Sequence, residues 1–326
     1  MKLLKLLTLV LALSSTAAFV VASRATPRQV TALSAIAPNM NFAYIRIAGK
    51  VLAYPSMSEG YLSFRVQDGA AGEMRVSAYR DVVGQLIVAK RLPMPGDEVV
   101  VEGTLRVRDD EASLVINTFD GLAIITPPAI PLDLSALDAA ALGARVTVSG
   151  QVRRVRELSQ GLKIVSLRNG SGMADVLMPT SLGDAFGAAP ELATGSWVSV
   201  TGAVGEFRNG RQVLPSSSKD IAALPNSNAI ETRPINALGK RLLGQWLAVQ
   251  GLVTDLKPFK QGMRIEIQDT SSERITAVVF DSAWNDVPFS QTLNINDSVL
   301  VQGELSEYRG ALEIVPELSS DIGLVK

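Results

Sequence analysis

Cysteine and histidine are both absent from the 326 residues. Without thiols there can be no disulfide framework, no thiolate nucleophile and no lipoprotein-type cysteine after the N-terminal segment. Without imidazole as well, the usual zinc ligand sets are excluded. The same absences remove Ser-His-Asp and Cys-His catalysis. Aromatic residues are scarce at 5%, which leaves few platforms for stacking sugars. Neither sign of charge is in excess: 31 Lys and Arg oppose 32 Asp and Glu, a net charge of −1, which argues against strong non-specific attraction to a polyanion. No Gly-rich phosphate loop, metal-ligand spacing or paired-carboxylate signature occurs, so the expectation is a non-enzymatic chain with no cofactor and no metal.

What remains is a globular composition, 47% hydrophobic and 19% charged, in a chain long enough for two or three domains. Residues 1–25 stand apart. Lys2 and Lys5 open the segment, and an uncharged Leu-, Val- and Ala-rich run follows from Leu6 to Ala22. This fits a signal peptide, with Val20-Val21-Ala22 as the cleavage candidate. It fits an uncleaved anchor too, because the 20 residues from Leu3 to Ala22 can span a bilayer if Lys5 snorkels. Either reading expects a secreted or membrane-anchored protein with the bulk of the chain outside the cytoplasm. Residues 26–44 read as a tether.

Self-similarity organises the rest. IRIAGKV at 45–51, VTVSGQV at 146–152 and LAVQGLV at 247–253 place Gly49, Gly150 and Gly251 at intervals of 101 residues. A second apolar–polar alternation follows each, at 61–68, 161–169 and 262–269, ending on Asp68, Asn169 or Asp269, which read as turn residues. A third lies at 74–79, 173–178 and 275–280. After a variable insert come a fourth, at 95–105, 194–204 and 295–305 with Gly103, Gly202 and Gly303, and a fifth, at 113–119, 211–217 and 311–317. Glycines inside the first and fourth strands predict bulges or sharp bends, which a small closed barrel needs at its corners. The fold class is therefore all-β: three tandem five-stranded barrels after an N-terminal hydrophobic helix.

Five strands with a variable insert between the third and fourth resemble the OB-fold domains of the anticodon-binding-like, nucleic-acid-binding type. The resemblance covers residues 45–125, 145–219 and 246–326, with linkers at 126–144 and 220–245 in which short helices are expected near Ser135–Leu142 and Ile235–Leu243. It is specific for fold and carries no catalytic signature. It implies a ligand on the face of strands two and three, flanked by the loops between strands one and two and strands four and five.

On that map the middle repeat supplies Arg153, Arg154 and Arg156 in the first loop. Lys163 and Arg168 lie on its second strand, and Phe207, Arg208 and Arg211 in the hairpin between strands four and five. Residues 145–219 hold nine basic and five acidic side chains, a balance suited to phosphate with Phe207 as a stacking ring. Secondary candidates are Lys257, Phe259, Lys260, Tyr308 and Arg309 in the third repeat, although residues 246–326 carry a net −6. Phe280 and Trp284 read as packing residues there. The first repeat offers Tyr54, Tyr61, Phe64, Arg106 and Arg108, opposed by Asp109-Asp110-Glu111.

The favoured reading is an exported or membrane-tethered binding protein for single-stranded nucleic acid. The alternative is an envelope-associated structural or protein-docking module, with envelope proteins as partners and the membrane engaged through the N-terminal helix. Oligosaccharide binding is a third option that the few aromatics disfavour.

Overall fold

A computed structural model describes residues 29–69, 72–108, 111–158, 161–179, 192–207, 210–225 and 230–325. The segment 1–25, with its expected helix, lies outside these. Among the described residues no helix is long and apolar enough to cross a membrane. The chain divides into two units, one ending at Ile125 and the other holding residues from Thr126 onward.

The first unit is one barrel. Its strands are β1 (Tyr44–Val51), β2 (Ser56–Ser58), β3 (Tyr61–Gln67) and β4 (Glu73–Tyr79). Helix α1 (Arg80–Val88) follows, then β5 (Glu98–Arg108), β6 (Glu111–Val115) and β7 (Leu122–Ile125). The order β1-β3-β4-β6-β5 closes because β1 also pairs with β5. β4 and β6 are parallel and the other pairs are antiparallel. Alternation does the rest: Leu62, Phe64 and Val66 of β3 and Met74, Val76 and Ala78 of β4 point inward and are buried. α1 fills the variable insert and buries Val83 and Leu86.

The second unit holds two more barrels. β8 (Ile130–Pro131), β9 (Arg145–Leu158), β10 (Leu162–Arg168), β11 (Met173–Pro179), β12 (Trp197–Phe207), β13 (Gly210–Leu214) and β14 (Ile221–Leu224) form one. The other has β15 (Trp246–Phe259), β16 (Gly262–Gln268), β17 (Arg274–Phe280), the one-turn helix α2 (Asp281–Trp284), β18 (Ser298–Tyr308), β19 (Ala311–Val315) and β20 (Ile322–Leu324). Both repeat the closure of the first, including the parallel pairs β11–β13 and β17–β19. Each barrel also gains a sixth short strand (β7, β14 or β20) beside its fourth, which the sequence reading did not contain. The linkers expected to hold short helices carry 3-10 turns instead, at Leu134–Ala139, Ile235–Ala237 and Lys240–Leu242. Trp284 is in the core of the third barrel, whereas Phe280 is 41% exposed.

The first strand does double duty. Residues 145–151 of β9 pair with β12 and residues 151–158 pair with β10, so the strand must bend between them. Gly150 sits at that bend, and a bulge at Arg153 absorbs the change in register. β15 repeats this with Gly251 and a bulge at Thr254. Residues 153–157, expected as a loop, are therefore strand. The turn residues after strand two also anchor the chain that precedes the barrel. Asp68 accepts the Leu33 amide at 3.1 Å and Asp269 the Ile235 amide at 2.6 Å, each tying a 3-10 turn to the end of its barrel.

A Cβ on Gly251 would overlap the Gln268 carbonyl oxygen, whereas one on Gly150 would meet the Arg168 carbonyl at 3.1 Å. Gly251→Ala is therefore expected to destabilise the third barrel by about 1–3 kcal/mol in urea unfolding, and Gly150→Ala by clearly less. Equal costs would mean that the close strand approach is not the reason for these glycines.

Candidate nucleic-acid interface

The faces of strands two and three compare directly, because one register row runs across equivalent positions in all three barrels. In the third barrel that row reads Asp255, Glu266, Thr276, Glu313 and Ser306. In the second it reads Arg154, Ser166, Asp175, Gln212 and Gly205. In the first it reads Arg65, Arg75, Ser113 and Arg106. The row thus passes from basic in barrel one to acidic in barrel three.

In barrel one, Arg65, Arg75 and Arg106 are all exposed. Arg65 and Arg75 stand directly opposite one another, an arrangement that costs stability unless an anion or counter-charge lies between them. Glu73 partly offsets it, 2.9 Å from Arg65, but both partners are about half exposed and such pairs are weak. At the end of the same face Tyr61 and Tyr79 stand opposite each other with ring centroids 5.3 Å apart, and Tyr79 is half exposed. The Tyr61 phenol lies 3.3 Å from the Ser77 hydroxyl. Hydrogen bonds with Ser77 and Ser63 hold its pKa below the usual phenol value, and the Arg75 charge acts in the same direction. Arg106 lies over the Phe42 ring at 4.7 Å. A row of cations with accessible rings at its end is what a single strand requires. Of this set the sequence reading contained only Tyr61 and Arg106. Arg65, Arg75 and Tyr79 were missed because a repeat-wide charge sum hides a cross-strand cluster.

The middle-barrel candidates separate into two groups. Arg154 and Arg156, two residues apart on β9, are exposed on one face. Phe207 is 55% exposed at the end of β12. Lys163 lies 3.4 Å from Glu157, and Arg211 lies 2.8 Å from Glu206. Arg208 lies outside the described residues.

Arg153 and Arg168 instead face the third barrel. The Arg153 guanidinium contacts Asp321 at 2.6 and 2.7 Å and Glu317 at 3.0 Å, and lies 4.6 Å above the Trp246 ring. Arg168 covers the same indole at 4.4 Å and reaches Glu317 at 3.5 Å. Gln302 donates to Gln151 at 3.0 Å and to Asp321 at 2.9 Å. The Asp321 side chain is fully buried and also accepts the Glu317 and Leu318 amides. Burial alone would lower the Arg153 pKa, but hydrogen bonding with Asp321 and the charges of Asp321 and Glu317 raise it above the usual value. Arg153 is therefore a buried joint between barrels and does not present its charge to solvent.

The repeat explains how this joint arose. Asp220, the counterpart of Asp321, caps the same turn but pairs inside its own barrel with Arg145 at 3.4 Å. In the third barrel the Arg145 position holds Trp246, which leaves Asp321 to a cation from the preceding barrel. The 101-residue offset relating these positions was the available signal.

In barrel three, Phe259 meets Phe280 edge-on at 6.0 Å with Arg264 over Phe259 at 4.8 Å, and Lys257 pairs with Asp255. Lys260 is exposed nearby. Tyr308 is half exposed beneath Arg309 at 5.1 Å. The acidic row lies between these two groups. Among the described residues, no cluster of acidic side chains could hold a metal ion.

The family profile of the OB-fold nucleic acid binding domain, tRNA_anti-codon, matches residues 146–221, the middle barrel. No curated protein sequence matches the chain. Solved structures that resemble it include a replication protein A heterotrimer bound to single-stranded DNA, at 11% identity over 91% of this chain and 96% of that one, with a TM-score of 0.31. A murine DNA binding protein bound with double-stranded DNA matches at 14% identity over 55% and 98%, TM-score 0.29. An OBody bound to hen egg-white lysozyme matches at 18% identity over 29% and 93%, TM-score 0.26. The chain carries OB-type barrels, the middle one of which matches a nucleic-acid-binding family.

Arg153→Ala is expected to cost about 3–5 kcal/mol, because it strands the buried Asp321 carboxylate, and to split the unfolding of barrels two and three into separate transitions. Arg154→Ala, next in sequence but exposed, should stay within about 0.5 kcal/mol. Urea denaturation followed by tryptophan fluorescence distinguishes them, since Trp246 reports on the joint.

Proposed function

We propose that the chain is a non-catalytic binding protein for single-stranded nucleic acid, with its main contact face on barrel one and a lesser one at Arg154, Arg156 and Phe207 on barrel two. The observation that carries the reading is the row Arg65, Arg75 and Arg106 beside the Tyr61–Tyr79 pair. Two arginines held face to face gain from a phosphate between them, and the half-exposed Tyr79 ring at the row's end offers bases a stacking surface. The acidic row of barrel three repels a phosphate chain. The strand would therefore avoid the third barrel and leave it to other contacts. Export or membrane tethering belongs to the same proposal and rests on the charge and hydropathy of residues 1–25 alone.

An envelope-associated docking module remains a second reading. The pairing of Arg153, Arg168, Arg211, Lys163 and Lys257 with acidic neighbours favours it, since paired cations offer little to phosphate.

Fluorescence anisotropy with a labelled oligothymidylate decides between them. Binding is expected at low salt, with log K falling against log salt at a slope of about −2 for three phosphate contacts on a single strand. Arg75→Glu with Arg106→Glu should abolish the salt-dependent part. Tyr79→Ala should remove roughly 1–3 kcal/mol with the slope unchanged. Absence of binding by the unaltered protein at low salt would sink the proposal.

A further inference from the structure

Barrel three sits on barrel two through two complementary faces. One is the bulge side of β9, with Gln151 and Arg153 4% and 8% exposed. The other is the outer side of β15, where Trp246 and Ala248 are 5% and 1% exposed. Because the barrels are repeats, each face has counterparts elsewhere in the chain. On barrel three the bulge-side face recurs with Leu252, Thr254 and Gln268 in place of Gln151, Arg153 and Arg168. On barrel one the outer face of the first strand recurs with Tyr44, Asn117 and Gly121 in place of Trp246, Glu317 and Asp321.

Both counterparts expose apolar side chains, and the one on barrel one also carries the Arg46–Glu102 pair. Leu252 is 49% exposed, with Ile295 at 56% in the turn before β18 and Leu324 at 41% at the end of β20. On barrel one, Tyr44 is 40% and Val30 52% exposed, Val30 bridging to Arg46 of the same strand. The charges have changed in concert. The face that lost its arginines corresponds to a face that lost its carboxylates, and Glu102, at the Gln302 position, pairs with Arg46 of its own barrel at 3.6 Å. Docking the two would strand no charge, whereas either would be mismatched against its counterpart in the joint between barrels two and three.

We propose that the Leu252 face of barrel three binds the Tyr44 face of barrel one in a second copy of this chain, head to tail, with the geometry of the joint between barrels two and three. Such a contact is heterologous: the two faces that meet are different ones. The absence of native cysteine gives a direct test. Tyr44→Cys and Leu252→Cys proteins, mixed and gently oxidised, should give a disulfide-linked heterodimer. Tyr44→Cys mixed with Ser282→Cys, exposed on α2, should not. Sedimentation of the unaltered protein should show mass rising with concentration, and Leu252→Glu should abolish the rise while leaving the far-ultraviolet circular dichroism unchanged. A monomer at about 100 µM that gives no heterodimer above the Ser282 control would overturn the proposal. Efficient Leu252→Cys homodimers without the heterodimer would overturn it as well, because they would indicate a symmetric contact.

Discussion

Barrel closure is the constraint from which the other features descend. Five short strands close only if the first pairs with the fourth along one half and with the second along the other. In β9 and β15 this requirement produces a bend, a glycine pressed against the second strand, tightly in β15 and less so in β9, and a bulge three residues later. The bulge places one residue outside the ladder, aimed away from its own barrel. In barrel two that residue is Arg153, so a device needed for closure also supplies the joint to the next barrel.

The joint shows how tandem repeats divide labour. Asp220 and Asp321 occupy equivalent turns and accept equivalent backbone amides, yet one takes its cation from its own barrel and the other from its neighbour. Replacement of an arginine by Trp246 at the start of the third repeat makes the difference. The indole fills the contact and gives Arg153 and Arg168 a ring to stack on. The carboxylate it leaves behind is then neutralised across the boundary. A buried pair of this kind contributes modestly to stability relative to an apolar contact, but it penalises misalignment steeply.

Much of this was visible in the sequence. The 101-residue offset, the strand alternation and the in-strand glycines were enough to define three OB-type barrels, because a period of two and a fixed register leave a face pattern in the chain itself. The candidate surface was less legible. Arg153 and Arg154 are adjacent and chemically identical, but one is buried under another barrel and the other faces solvent. Arg65 and Arg75 are ten residues apart and become neighbours only through the β3–β4 register. Charge counted along residues 45–125, nine basic against eleven acidic side chains, concealed the basic row of barrel one.

By itself the sequence determined the repeat, the closure and the absence of thiol and imidazole chemistry, since these follow from local periodicity and composition. Tertiary structure alone decided which charges are spent and which are available. That depends on what lies across a strand or across a boundary between barrels, and those distances are not written in the order of the residues.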